Sequence, residues 1–164
     1  WVRHASRGAA TASGDSGAAT ASGYRGAATA SGYRGAATAS GDSGAATASG
    51  DRGAATASGY RGAATASGDS GAATASGDRG AATASGDRGA ADVRGPHSVA
   101  LASGWGGRAR VATGCLLVLV ERNDEGEIIH HFAAMAGKRG VKPGHWYTLR
   151  NGKLVDVSGE AERG

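Results

Sequence analysis

In this 164-residue chain Cys115, His130, His131 and His145 are the residues whose types could suggest a transition-metal site or a Cys-His nucleophile pair. A zinc-type site needs three or four such donors to converge on one point. Adjacent histidines on a strand point to opposite faces, so at most one of His130 and His131 can join a site with the others. A Cys-His nucleophile pair also needs a third, orienting group and a pocket, and nothing in the spacing marks one. The expectation is therefore no catalytic residue, no metal, no cofactor and no enzymatic activity. The single cysteine also excludes a disulfide within the chain.

Two other groups of side chains could recognise a partner. Lys138, Arg139, Lys142, His145 and Arg150 lie close in sequence to Trp146 and Tyr147, a basic-aromatic cluster of the kind that holds single-stranded nucleic acid or a glycan. Its plainer reading is a solvated loop beside a packed tryptophan. The second group is a recurring hydroxyl pair: Thr11 and Ser13, Thr20 and Ser22, Thr29 and Ser31, Thr38 and Ser40, Thr47 and Ser49, Thr56 and Ser58. On an extended strand each pair stands about 7 Å apart on one face.

The element that positions these pairs is a tandem repeat. Residues 8–88 are nine abutting copies of Gly-Ala-Ala-Thr-Ala-Ser-Gly followed by Asp-Ser, Tyr-Arg or Asp-Arg. Such a short fixed period leaves no unit a core of its own, so the units must stack. Ala-Ala-Thr-Ala-Ser between glycines fits a short strand, and Gly-Asp-Ser and its equivalents supply the turn. One strand and one turn per nine residues predict a parallel β-solenoid with two strands per 18-residue coil. Residues 8–114 then make about six coils, roughly 29 Å long at the ~4.8 Å strand spacing. Residues 1–7 open inside a repeat unit and are read as a degenerate N-terminal cap.

The degenerate copies decide which side chains point inward. In Gly89-Ala-Ala-Asp-Val-Arg-Gly95, Asp92 and Arg94 replace Thr and Ser while Val93 replaces Ala. Charges are not buried unpaired in a narrow core, so Asp92 and Arg94 face out and Val93 faces in. Carried back through the repeats, this puts Ala10 and Ala12 inside and Ala9, Thr11 and Ser13 outside. The turn residues form two edges. Asp15, Tyr33, Asp51, Asp69 and Asp87 stack on one, and Tyr24, Asp42, Tyr60 and Asp78 on the other, with neighbouring arginines placed for charge pairs and Tyr-Arg stacking. An interior of alanine methyls, each contributing about 0.8 kcal/mol, is thin beside the entropy of ordering the chain. A homo-oligomer is expected, in which a second copy covers an Ala-Thr-Ser face.

Residues 115–164 hold most of the large apolar residues and read as a β-rich cap. Its strands are Cys115 to Arg122, Glu127 to Ala136, His145 to Arg150 and Lys153 to Val157, with Asn151-Gly152 as a hairpin turn. Val99, Leu101 and Trp105 are expected to form its floor, with Trp146 packing on them. The fold class is thus all-β: a parallel solenoid ended by a small antiparallel cap. The longest apolar run, Cys115 to Val120, is too short to span a bilayer. The net charge of +4 is spread among alternating Asp and Arg, which does not support specific nucleic-acid recognition.

Pro96-His-Ser-Val-Ala-Leu-Ala-Ser-Gly104 and Trp105-Gly-Gly-Arg-Ala-Arg-Val-Ala-Thr-Gly114 resemble the head repeats of trimeric autotransporter adhesins. That resemblance implies a β-roll, a surface role and assembly from several chains. The nine-residue body, with Trp146 to Leu149 in its tail, is similar to bacterial and prophage proteins built of tandem Ser-Ala-Ala-Thr words, which implies no particular activity. The period is similar to that of calcium-binding nonapeptide β-rolls, but the Gly-Gly-x-Gly-x-Asp word and its large apolar residue are missing, so calcium is not expected. The Thr-Ser flats are similar to those of ice-binding solenoids. The reading is a structural or adhesive shaft, extracellular, cell-surface or virion-associated. Ice binding by the flats, or carbohydrate binding by the C-terminal piece, is the alternative.

Overall fold

The computed structural model describes residues 8–159, and the cap expected over residues 1–7 lies outside them. Each copy of the repeat forms a four-residue Ala-Ala-Thr-Ala strand: β1 (Ala9–Ala12), β2 (Ala18–Ala21), β3 (Ala27–Ala30), β4 (Ala36–Ala39), β5 (Ala45–Ala48), β6 (Ala54–Ala57), β7 (Ala63–Ala66), β8 (Ala72–Ala75) and β9 (Ala81–Ala84). The nine-residue spacing persists through three degenerate units, β10 (Ala90–Val93), β11 (Val99–Ala102) and β12 (Arg108–Val111). Four longer or antiparallel strands follow: β13 (Leu116–Arg122), β14 (Ile128–Met135), β15 (Trp146–Arg150) and β16 (Lys153–Asp156).

Alternate strands pair in parallel, like residue on like residue: Thr11 with Thr29 and Thr29 with Thr47 on one side, Thr20 with Thr38 and Thr38 with Thr56 on the other. Two sheets of eight strands result. The first runs β1-β3-β5-β7-β9-β11-β13-β14 and the second β2-β4-β6-β8-β10-β12-β15-β16. The parallel β-solenoid is therefore the fold, and each sheet is closed at the C-terminal end by its own antiparallel hairpin. The parallel rungs extend one strand past residue 114, because β13 pairs with β11 before turning into its hairpin. There Val99 meets Leu116, 17 residues on, where lower rungs pair 18 residues on.

Between the sheets lies a column of alanine methyls, with Ala28, Ala30, Ala46 and Ala48 and their equivalents buried. Toward the C-terminal end the column widens into Val93, Val111, Leu117, Leu119, Val141, Tyr147 and Leu149. The coil closes tightly because, from the third word on, the second glycine packs on the coil below. A Cβ on Gly32, Gly41 or Gly50 would overlap the carbonyl oxygen of Gly14, Gly23 or Gly32 respectively. Side-chain bulk, rather than backbone conformation, fixes glycine there, since none of these has a positive φ.

The turns change type along the rod. In the lower coils the N–H of the ninth residue donates backward, as from Arg34 to Asp15 O (2.7 Å) and from Arg61 to Asp42 O (2.7 Å). Above residue 78 it donates forward, from Arg79 to Pro96 O (2.9 Å) and from Arg88 to Trp105 O (2.7 Å). Arg79, Arg88 and His97 have φ of 56°, 55° and 56°, and Gly106 has 63°, as in type II turns. Pro96 and Gly106 favour that type at their positions, and their turns aim the Pro96 and Trp105 carbonyls at the turns below, which flip to meet them. The flip stops after one coil. Because the N–H and C=O of a peptide point oppositely, the Tyr60 and Asp78 carbonyls then face each other, as do those of Asp69 and Asp87. Asp78 Oδ1, at this seam, is buried with no hydrogen-bond partner.

Candidate functional site

The hydroxyl pairs divide between two opposite faces. Thr11, Ser13, Thr29, Ser31, Thr47 and Ser49 belong to the first sheet's outer side, and Thr20, Ser22, Thr38, Ser40, Thr56 and Ser58 to the second's. All six serines are exposed, while the threonines are exposed through Thr29 and half-buried from Thr38 to Thr56.

The faces differ at their C-terminal ends. On the first sheet the outward row continues as Val99, Leu101, Leu116, Val118 and Val120, with Met135 alongside Leu116. Val99 and Met135 are 37% and 44% exposed. No charged side chain interrupts the outward positions of this sheet from Ala9 to Ser103. On the second sheet the outward row becomes Asp92 and then Arg110, flanked by Arg94 and Arg108.

Asp92 faces the side that the sequence expects, outward on the parity of Thr74 and Arg110, but is covered there and only 3% exposed. The arginines cover it: Arg110 Nη2 donates to Oδ2 at 2.6 Å, Arg110 Nε to Oδ1 at 2.9 Å and Arg94 Nε to Oδ2 at 2.8 Å. Burial pushes its pKa up, but the hydrogen bonds from Arg110 and Arg94 outweigh that and hold the carboxyl below its ordinary value. Trp146 lies over this pair, its ring 4.7 Å from the Arg110 guanidinium carbon and 5.1 Å from that of Arg108.

The edges carry the Tyr-Arg stacks. Arg34 and Arg52 both lie 5.9 Å from the Tyr33 ring, and Arg61 and Arg79 lie 5.7 and 5.6 Å from that of Tyr60. Tyr24 lies beneath Asp42-Ser43, which offers no arginine from the coil above.

The residues expected as the cap's floor have other positions. Val99 and Leu101 lie on the outer side of the first sheet, Trp105 is 47% exposed on an edge turn, and Trp146 stacks on the arginines outside the second sheet. The cap's interior is instead Leu117, Leu119, Tyr147 and Leu149 against Val93 and Val111. The basic-aromatic cluster of the tail is dispersed. Tyr147 is buried, its hydroxyl accepting from the Lys142 N–H (2.9 Å) and donating to Gly140 O (3.3 Å), while Arg139 lies over Phe132 (4.9 Å).

The candidate metal or catalytic residues are likewise apart: His131 lies opposite Val120 in the β13–β14 hairpin, and the other three have contacts of their own. Cys115 is buried with Sγ 3.0 Å from Gly95 O. His130 Nδ1 is 3.0 Å from Glu121 Oε2, and His145 Nδ1 is 2.7 Å from Asp156 Oδ2. Glu121 also accepts the N–H groups of Gly152 (2.8 Å) and Asn151 (2.6 Å), and the Gly152 bond above all holds its carboxyl below the usual range. Asp156, held by the Ser158 hydroxyl and N–H and then by His145, is lowered to about 2. Among the described residues no three His, Cys, Asp or Glu side chains come together as a metal site. No helix among them is long and apolar enough to cross a membrane.

No protein-family model, curated protein or solved structure matches the chain.

Proposed function

We propose that the chain is a non-enzymatic structural module, a β-solenoid shaft that associates with copies of itself through the outer face of its first sheet. One observation carries this reading: that face is uncharged from Ala9 to Ser103 and leads into a partly exposed Val99, Leu101, Val118 and Met135 patch, while the opposite face ends in Asp92, Arg94, Arg108 and Arg110. Small side chains let two flat faces approach closely, and apolar residues at one end give them a register. The alanine interior supplies the driving force, since a second layer adds the burial that the core lacks. A surface fibre or a spacer of a bacterial or phage particle is the setting such a shaft would suit.

The test is the oligomeric state of the intact chain by sedimentation, with one arginine placed on each face. Thr47→Arg on the first sheet should dissociate the assembly, and Thr56→Arg on the second should leave it intact. A well-folded wild-type monomer at micromolar concentration, or dissociation by Thr56→Arg alone, would overturn the reading. The in-register threonine columns also support ice binding as a second function for the same flats. Thermal hysteresis from the wild-type chain, lost on Thr56→Arg, would favour that function over assembly.

A further inference from the structure

A cavity of about 570 Å³ opens at the C-terminal end of the solenoid edge that carries Asp51, Asp69 and Asp87. Its walls come from the turns bearing Arg88 and Trp105, the start of β12 at Arg108, the end of β13 at Glu121 and Arg122, and the end of β15 at Arg150. Arg88, Arg108, Arg122 and Arg150 line the cavity, with Glu121 the carboxylate among its described lining residues. That carboxylate is already directed elsewhere, with Glu121 Oε1 accepting from Asn151 N–H and Oε2 from Gly152 N–H beside His130.

Contacts fix Arg122 and Arg108, and Arg150 is engaged as well. Arg122 donates from Nε to Ser103 O (2.8 Å) and from Nη1 to Gly126 O (2.6 Å), and Arg108 is stacked on Trp146. Trp105, 47% exposed, adds a flat apolar surface to the charged wall. Arginine side chains favour planar or tetrahedral anions such as carboxylate and sulfate, which guanidinium groups grip through paired hydrogen bonds. An exposed aromatic ring beside them favours a ligand with an apolar ring face. The volume is that of a small-ligand site.

We propose that this cavity binds an acidic saccharide, with Arg88, Arg108 and Arg122 taking its carboxylate or sulfate groups and Trp105 its sugar ring. Single-stranded nucleic acid fits less well, because it is held by a row of aromatic residues along a basic groove. Here Trp105 is the aromatic in the cavity lining, and the edge leading to it carries aspartates. The site is independent of self-association, since it lies on an edge rather than on a flat.

Calorimetric titration of the intact chain tests the proposal with four probes: a uronate oligosaccharide, a sulfated oligosaccharide, a neutral oligosaccharide of the same length, and a single-stranded oligonucleotide of matched charge. One or both acidic saccharides should bind, identifying the anion, and the neutral one should not. Arg88→Gln and Trp105→Ala should each weaken that binding roughly tenfold, as loss of one charge-assisted or one ring contact does. Arg139→Gln, at the Phe132 contact, should leave it unchanged. Circular dichroism of each variant separates lost binding from lost folding. Equal binding of the neutral saccharide, tighter binding of the oligonucleotide, no binding of either acidic probe, or insensitivity to Arg88→Gln and Trp105→Ala would each overturn the assignment.

Discussion

The second glycine of each word is the residue on which the solenoid's geometry depends most directly. A methyl at Gly50 would overlap the Gly32 carbonyl, whereas a methyl at Gly14 meets nothing within 4 Å. Gly50→Ala is accordingly expected to cost roughly 3 kcal/mol or more, because backbone must move, and Gly14→Ala less than about 1 kcal/mol. Thermal or denaturant unfolding of the two variants checks this, and equal losses would contradict the stacking. The inward and outward pattern was legible from Val93, Asp92 and Arg94 alone. The burial of Asp92 was not, because it depends on Arg110, 18 residues away, reaching over it. The same limit hid the arginine cavity, whose members Arg88, Arg108, Arg122 and Arg150 are scattered in sequence and meet only where the two hairpins close on the last coil.

Among the elements, turns and hairpins carry the departures from regularity. The strands could be placed from Gly-bounded Ala-Ala-Thr-Ala words, and the Asn151-Gly152 turn from its residue types, with φ of 51° and 68° as expected of a tight hairpin. The change of turn type was not read from the repeats, since Asp78-Arg79 and Asp51-Arg52 are the same word in different conformations. The cause lies one coil above, in Pro96 and Gly106. His97, exposed with φ of 56°, should therefore gain from His97→Gly by roughly 0.5–1 kcal/mol in chemical denaturation, glycine accepting that conformation without strain. A loss of stability would argue against the type II turn. The β15–β16 hairpin has a pH limit as well. Asp156 is lowered to about 2, against an ordinary value near 3.9. Its folded-state pKa is depressed, so its stabilising contribution is present above about pH 4 and is lost as pH falls toward 2. Tryptophan fluorescence should report loosening around Trp146, whose N–H donates to Ser158 Oγ at 2.9 Å, across that window, and Asp156→Asn should remove that component of the acid transition.

At the scale of the whole molecule, the two ends of the rod differ in what they bury. Ala28, Ala30, Ala37 and Ala39 fill the lower coils, while Leu117, Leu119, Val93 and Val111 fill the coils at the C-terminal end. In a stacked protein each coil is stabilised mainly by its neighbours, so the large side chains stabilise the alanine coils only by propagation from the top. Amide hydrogen exchange should then show protection rising from β1 and β2 toward β10 to β13, with the lower coils opening independently of the cap. Leu119→Ala, which leaves a cavity in the fully buried layer, is expected to cost about 2–5 kcal/mol and to lower protection in every coil, whereas Ala37→Gly should lower it chiefly in the coils nearest β4. Uniform protection along the rod in the wild-type chain would instead mean that the alanine coils draw comparable stability from contacts outside their own core. Self-association through the first sheet supplies such contacts along the whole length, so repeating the exchange on the Thr47→Arg variant should uncover the gradient if association had masked it.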